Sequence, residues 1–123
     1  MISEIVGSVE PVSERSVVFA GDYLNKLSGE QIEYECKLRL EAGCKELVVN
    51  FSQTNIVNSI GISILLGVIE SVNHSRGTLV LSNLNASNRE LFEMLGLMSH
   101  VEMLDTEEVA LNRFGGDAGR AAM

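Results

Sequence analysis

The chain has 123 residues and a formal net charge of −8, with 9 Lys and Arg against 17 Asp and Glu. This length fits a single domain with one hydrophobic core. The acidic balance, without any cluster of basic residues, excludes a surface prepared for nucleic acid or for anionic membranes, and it favours a protein partner.

No segment of the sequence has the pattern of a membrane anchor or a signal peptide. The N-terminus lacks a basic stretch followed by an apolar core, and polar residues interrupt the longest apolar stretch, residues 60–72. We therefore expect a soluble, cytoplasmic protein without membrane insertion.

Residues 1–22 predict two strands. Residues 1–15 mix apolar and acidic residues, contain the only proline, Pro11, and predict a short edge strand. Residues 15–20 are more uniformly apolar and predict a firmer strand, and Gly21 and Asp22 mark the turn at its end.

Residues 28–44 fit two kinds of secondary structure. Their apolar residues alternate with polar ones, as in a strand, but they also satisfy the i, i+4 spacing of a helix. Seventeen residues are long for a strand, and Ser28 with Gln31 matches a capping box, with Gly43 placed as a stop. We therefore predict a helix.

The centre of the sequence predicts a strand, a polar turn and a helix. Residues 47–51 are typical of a strand buried on both faces, and residues 53–58 are polar. Apolar residues then recur at three- and four-residue steps as far as Val72, so Ser59 lies at or just before the start of a helix. Unpaired N–H groups and the positive end of the helix dipole gather there, which suits Ser59 either as a simple N-cap or as the carrier of a phosphate.

Two further strand and helix units follow. Residues 78–82 and 101–104 predict strands, and Ser87 with Glu90 forms a second capping-box pattern that opens a helix. Gly96 stands where a left-handed residue ends that helix. We expect its inward face to hold three apolar residues: Leu91, Met94 and Leu95.

The last helix is predicted from the carboxylates that open it. Residues 105–108 are rich in Asp and Glu, which the dipole favours in a first turn, and we expect the helix to end near Phe114. The glycine-rich residues 115–123 predict a flexible tail, so the domain covers residues 1–114. The alternation of strands and helices indicates an α/β fold with mostly parallel strands.

Residues that could bind metals or react as thiols are few and scattered. Cys36 and Cys44 show no CxxC or His spacing, so we expect reduced packing thiols rather than a zinc site or a disulfide. His74 and His100 are isolated, and we expect both on the surface. A metal site would need more ligands than the acidic group near the C-terminus provides: Asp105, Glu107 and Glu108.

The segment Asn58-Ser59-Ile60-Gly61 resembles the Asp-Ser-(Ser/Thr)-Gly signature of the STAS domain, the fold of bacterial anti-sigma factor antagonists. The strand before it fits the family, as do residues 77–84, and residues 88–97 resemble the family's closing helix with its Leu-x-x-x-Gly-Leu ending. The likeness covers about residues 14–114. It implies a single α/β domain with a mixed sheet of four to five strands and about four helices, mostly on one face.

The resemblance also implies a function and a site. A family member presents its serine loop, here Asn58, Ser59, Ile60, Gly61 and Ile62, together with a second loop, here Gly21 and Asp22, to an anti-sigma factor that is also a serine kinase. Phosphorylation of the serine, here Ser59, releases the partner, and a phosphatase reverses it. The kinase supplies nucleotide and magnesium, so no cofactor is expected on this chain.

Two positions depart from the family pattern. Asn58 replaces the signature Asp, so the expected phosphoacceptor Ser59 has an amide as its neighbour, which can orient it by hydrogen bonding but carries no charge. In the first loop Asp22 stands for the family's Glu, but Leu24 replaces its Asp unless Asn25 takes that role.

Two other functions are compatible with parts of this sequence. An α/β-hydrolase elbow would need Gly-x-Ser-x-Gly, and Ser59 has Gly61 after it but Val57 before it, so we expect no enzyme. The stronger alternative is a STAS-type binding subunit of a larger complex, stressosome-like or lipid-transporting, without a phosphorylation switch.

Overall fold

Short hydrophobic strands alternate with helices along the chain. The computed structural model describes the backbone of residues 15–122 and the side chains of residues 15–114. The elements are, in order, β1 (Arg15–Phe19), β2 (Tyr23–Leu24), α1 (Lys26–Glu41), β3 (Glu46–Asn50), β4 (Ile56–Val57), α2 (Ser59–His74), β5 (Thr78–Ser82), α3 (Ala86–Met94), a 3-10 turn (Leu97–Ser99), β6 (Glu102–Leu104) and α4 (Glu107–Ala122).

The main sheet has the strand order β1-β3-β5-β6, and all its pairings are parallel. β2 and β4 form a separate parallel pair, in which Tyr23 lies opposite Ile56 and Leu24 opposite Val57. The α/β class with mostly parallel strands is confirmed. The predicted N-terminal edge strand, which would make the sheet mixed, lies almost entirely outside the described residues.

Helices cover both faces of the sheet, and three of the four share one face. Alternate strand residues point to opposite sides, so Leu47 and Leu81 face the core beneath α1, α2 and α3, while Val48 and Val80 face α4. Ala110 of α4 packs on that second side. The prediction of helices mostly on one face is confirmed, and no helix in residues 15–122 has the length and apolar content needed to cross a bilayer.

Helix α1 has a capping box, but it is formed by Asn25 and Ser28 and not by the predicted pair Ser28 and Gln31. The helix begins at Lys26 with Asn25 as N-cap, earlier than the predicted start at Ser28. Asn25 Oδ1 accepts from the Ser28 N–H at 3.0 Å, and Ser28 Oγ accepts from the Asn25 N–H at 2.9 Å. Ser28 is therefore the third helical residue and not the cap. Gly43, with φ of +101°, follows the end of the helix as predicted.

The start and the buried face of α3 also differ from the prediction. Asn85 caps the helix by accepting from the Asn88 N–H at 2.7 Å, so Ser87 is not the cap. Phe92 fills the core and meets the ring of Phe51 edge-on at 5.8 Å. The inward placement of Met94 and Leu95 is wrong, because the nine-residue helix ends there with both side chains exposed; Leu91 is half-buried.

α4 opens as predicted and runs further than predicted. Glu107 and Glu108 lie in its first turn, and the helix continues beyond Phe114 to Ala122. The division into a domain over residues 1–114 and a flexible tail stays a prediction.

Both cysteines are buried and neither is in a disulfide, as expected of packing residues. Burial raises the pKa of Cys36 from 9.0 to about 12; the nearby Arg39 guanidinium opposes the shift, and Cys44 and Glu35 add to it. Cys36 is thus held in its neutral form.

Candidate functional site

Asn58, and not Ser59, caps helix α2. Its Oδ1 accepts a hydrogen bond from the Gly61 N–H at 2.8 Å, and its backbone is extended, as an N-cap requires. Ser59 is the first residue of the helix, and its side chain is exposed. Within the described part of the chain, the Ser59 hydroxyl forms no hydrogen bond, so the simple N-cap role considered for it is wrong.

The other end of the Asn58 amide is also engaged. Its Nδ2 donates to the hydroxyl of Tyr23 at 3.1 Å, which ties the start of α2 to strand β2. The expected hydrogen bond from Asn58 to the Ser59 side chain is not formed. Asn58 therefore fixes the backbone at this corner and leaves the Ser59 hydroxyl unrestrained.

Gly61 allows the first turn of α2 to pack against a neighbouring loop. A Cβ placed there would lie 2.5 Å from the carbonyl oxygen of Leu24 and 2.9 Å from the backbone nitrogen of Asn25, closer than real Cβ atoms approach. The same Leu24 oxygen accepts from the Asn58 N–H at 2.9 Å. The starts of α1 and α2 are therefore held side by side.

The turn at Gly21 and Asp22 is fixed from the same side. The Thr54 hydroxyl donates to the Gly21 carbonyl at 2.6 Å, and the Asn55 N–H donates to the Asp22 carbonyl at 2.8 Å. Strand β4 leads directly into Asn58, and its pairing with β2 holds the segment after Asp22 beside it. The structure thus brings the two loops singled out in the sequence to one corner of the molecule.

Ile60 and Ile62 differ in exposure. Ile60 is exposed beside Ser59, whereas Ile62 is 5% exposed and lies in the core. Two positions along a helix turn a side chain to roughly the opposite side, which is why both cannot face outward. The expected place of Ile62 on the binding surface is therefore not what the structure shows, and Gly61 is likewise buried.

The sequence did not indicate four of the residues that complete this corner: Tyr23, Lys26, Leu27 and Glu30. Together with Asn25, Asn58 and Ile60 they line a shallow depression of about 440 Å³. One signal was available, since Asn25 is as good a helix cap as Ser28. No periodicity in the sequence marks the two-residue pairing of β2 with β4.

The histidines and the acidic residues near the C-terminus form no metal or catalytic site in the described part of the chain. His74 and His100 are exposed, as expected, and His74 Nδ1 lies 3.0 Å from the Glu70 carbonyl oxygen. Glu107 accepts from Asn50 Nδ2 at 2.7 Å at the start of α4. Among the residues described, no group of His, Cys, Asp and Glu side chains could hold a metal ion.

Known proteins are similar to this chain in sequence and in fold. The family model of the STAS domain matches residues 12–110. A Bordetella bronchiseptica protein provisionally named as the anti-sigma factor antagonist BtrV is 28% identical over 91 residues, which are 74% of this chain and 78% of that protein.

Two solved structures of the anti-sigma factor antagonist SpoIIAA are similar as well. The unphosphorylated form matches with a TM-score of 0.70 and 25% identity, over 87% of this chain and 94% of that one. The phosphorylated form, from Bacillus, matches with a TM-score of 0.64 and 25% identity, over 85% of this chain and 96% of that one.

Proposed function

Because this chain belongs to the STAS domain family, we propose that it is an anti-sigma factor antagonist controlled by phosphorylation of Ser59. In this proposal it is a binding protein without catalytic activity, and its partner is an anti-sigma factor that is also a serine kinase. The partner supplies ATP and magnesium, and a phosphatase restores the hydroxyl. The names of its relatives support the antagonist part of the proposal.

The observation that best supports phosphorylation of Ser59 is that its hydroxyl makes no hydrogen bond within the described residues. It is exposed at the first position of α2, and no described side chain or backbone group competes for it. A kinase could reach it without any unfolding of the chain. The backbone beneath it is fixed by the Asn58 cap and by the close approach of Gly61 to Leu24.

A phosphate at this position would be compatible with the fold. It would add a charge of about −1.5 to −2 at the end of the helix where the dipole is positive and N–H groups are unpaired. The modified protein should therefore keep its structure.

The effect of the phosphate would be felt in the complex. A partner surface that fits a neutral hydroxyl would meet a solvated dianion. Removing water from that dianion in the complex costs roughly several kcal/mol. A change of about 3 kcal/mol weakens binding by about a hundredfold, which is enough for a switch.

Asn58 favours the second candidate function, a STAS-type binding subunit without the switch. An amide cannot attract a cation or accept a proton near Ser59, as the carboxylate of the family signature could. The two functions differ in one property, because only the antagonist carries a phosphate on Ser59.

Binding measurements with the anti-sigma factor kinase of the source organism test the proposal. We expect Ser59→Ala to bind like the unmodified protein, Ser59→Asp to bind more weakly, and Ile60→Asp to lose binding. Circular dichroism should show that all three variants are folded, since the side chains of Ser59 and Ile60 are exposed. Loss of fold in Ile60→Asp would show that Ile60 belongs to the core, and equal binding by Ser59→Asp would remove the switch.

A further inference from the structure

Four large apolar side chains are exposed at the corner where α1 and α2 begin. They come from four elements, β2, α1, β4 and α2, and are called here the apolar collar: Tyr23 (40% exposed), Leu27 (66%), Ile56 (58%) and Ile60 (55%). Single exposed apolar residues are ordinary on protein surfaces, but a contiguous group marks a contact site.

The structure makes the collar contiguous. Tyr23, Leu27 and Ile60 line the same shallow depression beside Asn58. Ile56 lies opposite Tyr23 in the parallel pairing of β2 with β4, so both side chains leave the same face of that pair. Their neighbours Leu24 and Val57 pack toward the core instead.

The backbone beneath the collar is fixed, and one of its side chains is held as well. The Tyr23 hydroxyl is held by Asn58 Nδ2, and Leu27 stands in the first turn of α1 behind the Asn25 capping box. Side chains that are already ordered lose little conformational entropy when a partner binds. Tyr23 is therefore the collar side chain best prepared to contribute affinity.

The charges next to the collar indicate the partner's chemistry. Glu30 shares the depression, and Asp22 precedes Tyr23 in the turn; within residues 15–114 neither carboxylate forms an ion pair. Lys26 is the one cation among the residues that line the depression. With a net charge of −8 on the chain, a bordering ring of Lys or Arg on the partner would be complementary.

We propose that the apolar collar is the main source of affinity for the anti-sigma factor, and that it docks a partner patch with an apolar centre and a basic border. This inference rests on the proposed function and adds the chemistry of the interface. It also gives phosphorylation a reason to act strongly, because Ser59 lies between Asn58 and Ile60 in the chain and its charge would enter beside an apolar contact. Asp22 and Glu30 would meet the basic border.

The test compares two leucines on one helix. Leu27 is in the collar, and Leu38 is 43% exposed about three turns further along α1, on the same side of the helix. Calorimetric titration with the anti-sigma factor kinase should show Leu27→Ser weakening binding by about tenfold or more, and Leu38→Ser by less than about twofold. Ile56→Ser, on a different element, should behave like Leu27→Ser. Unchanged thermal midpoints would show that each variant is folded.

The outcomes separate this inference from the proposed function. If Leu27→Ser and Ile56→Ser bind like the wild type while Ser59→Asp binds weakly, the collar is not the source of affinity, and the antagonist function stands. If the wild type itself does not bind, both fail. A dimer of the protein alone that Leu27→Ser dissociates would make a second copy the occupant of the collar and overturn the partner assignment. Binding that does not weaken from about 0.1 to about 0.5 M NaCl would overturn the basic border.

Discussion

At the residue scale, the contact between Gly61 and the backbone of Leu24 and Asn25 decides how α2 begins. Because the obstructing atoms belong to the backbone, they cannot rotate away as a side chain would. Any residue larger than glycine must move the first turn of α2, and with it Ser59, away from β2. The position of the candidate phosphoacceptor thus depends on a glycine two residues beyond it.

Gly61→Ala should therefore destabilise the protein by about 1–3 kcal/mol through overpacking. Gly67→Ala in the same helix is the matched control, since nothing lies within 4 Å of a Cβ built there. That control should be neutral or stabilising by up to about 1 kcal/mol, as expected for alanine in a helix interior. Urea unfolding of both variants measures the difference, and equal stability would show that the helix start is loosely packed.

Cys36 allows a second prediction at this scale. Because burial raises its pKa from 9.0 to about 12, the native thiol should react slowly with DTNB near pH 8, and unfolding in urea should restore fast reaction. The neutral thiol stabilises the fold fully below about pH 9, and this contribution is lost as the pH rises toward about 12. Cys36→Ala should keep partner binding. Rapid oxidation that alters binding would contradict a packing role.

At the element scale, three helices begin at an asparagine: Asn25, Asn58 and Asn85. The sequence predicted that helices begin near these places but assigned two of the caps to Ser28 and Ser87. Both residue types are good caps, so propensity cannot choose between them. Tertiary contacts decide which residue becomes the cap. Asn85, for example, also donates from its amide to the Thr54 carbonyl at 3.4 Å.

The cap of α2 can be tested separately from the switch. Asn58→Ala removes the acceptor for the Gly61 N–H and the donor to Tyr23, and should cost about 1–2 kcal/mol in the free energy of unfolding. Asn58→Asp should cost much less, because a carboxylate still caps the helix and can accept from the Tyr23 hydroxyl. Denaturant unfolding compares the two, and equal losses would show that the amide itself is required.

At the scale of the whole molecule, the alternation of strands and helices predicted the α/β class and the parallel main sheet. The double-sided burial of residues 47–51 was visible as a continuous apolar run, and Val48 and Val49 do face opposite helix layers. The pairing of β2 with β4 was not predictable, because two residues carry no period. That pairing joins the turn at Gly21 to Asn58, so the candidate site could be named from sequence only as two separate loops.

Ser59 phosphorylation is the central claim, and mass spectrometry after incubation with the anti-sigma factor kinase and ATP tests it most directly. We predict a single phosphate on Ser59, none in Ser59→Ala, and faster modification in Asn58→Asp, where a carboxylate returns beside the hydroxyl without loss of the cap. An unmodified Ser59 in both the native protein and Asn58→Asp would contradict the account and leave a binding module without a switch.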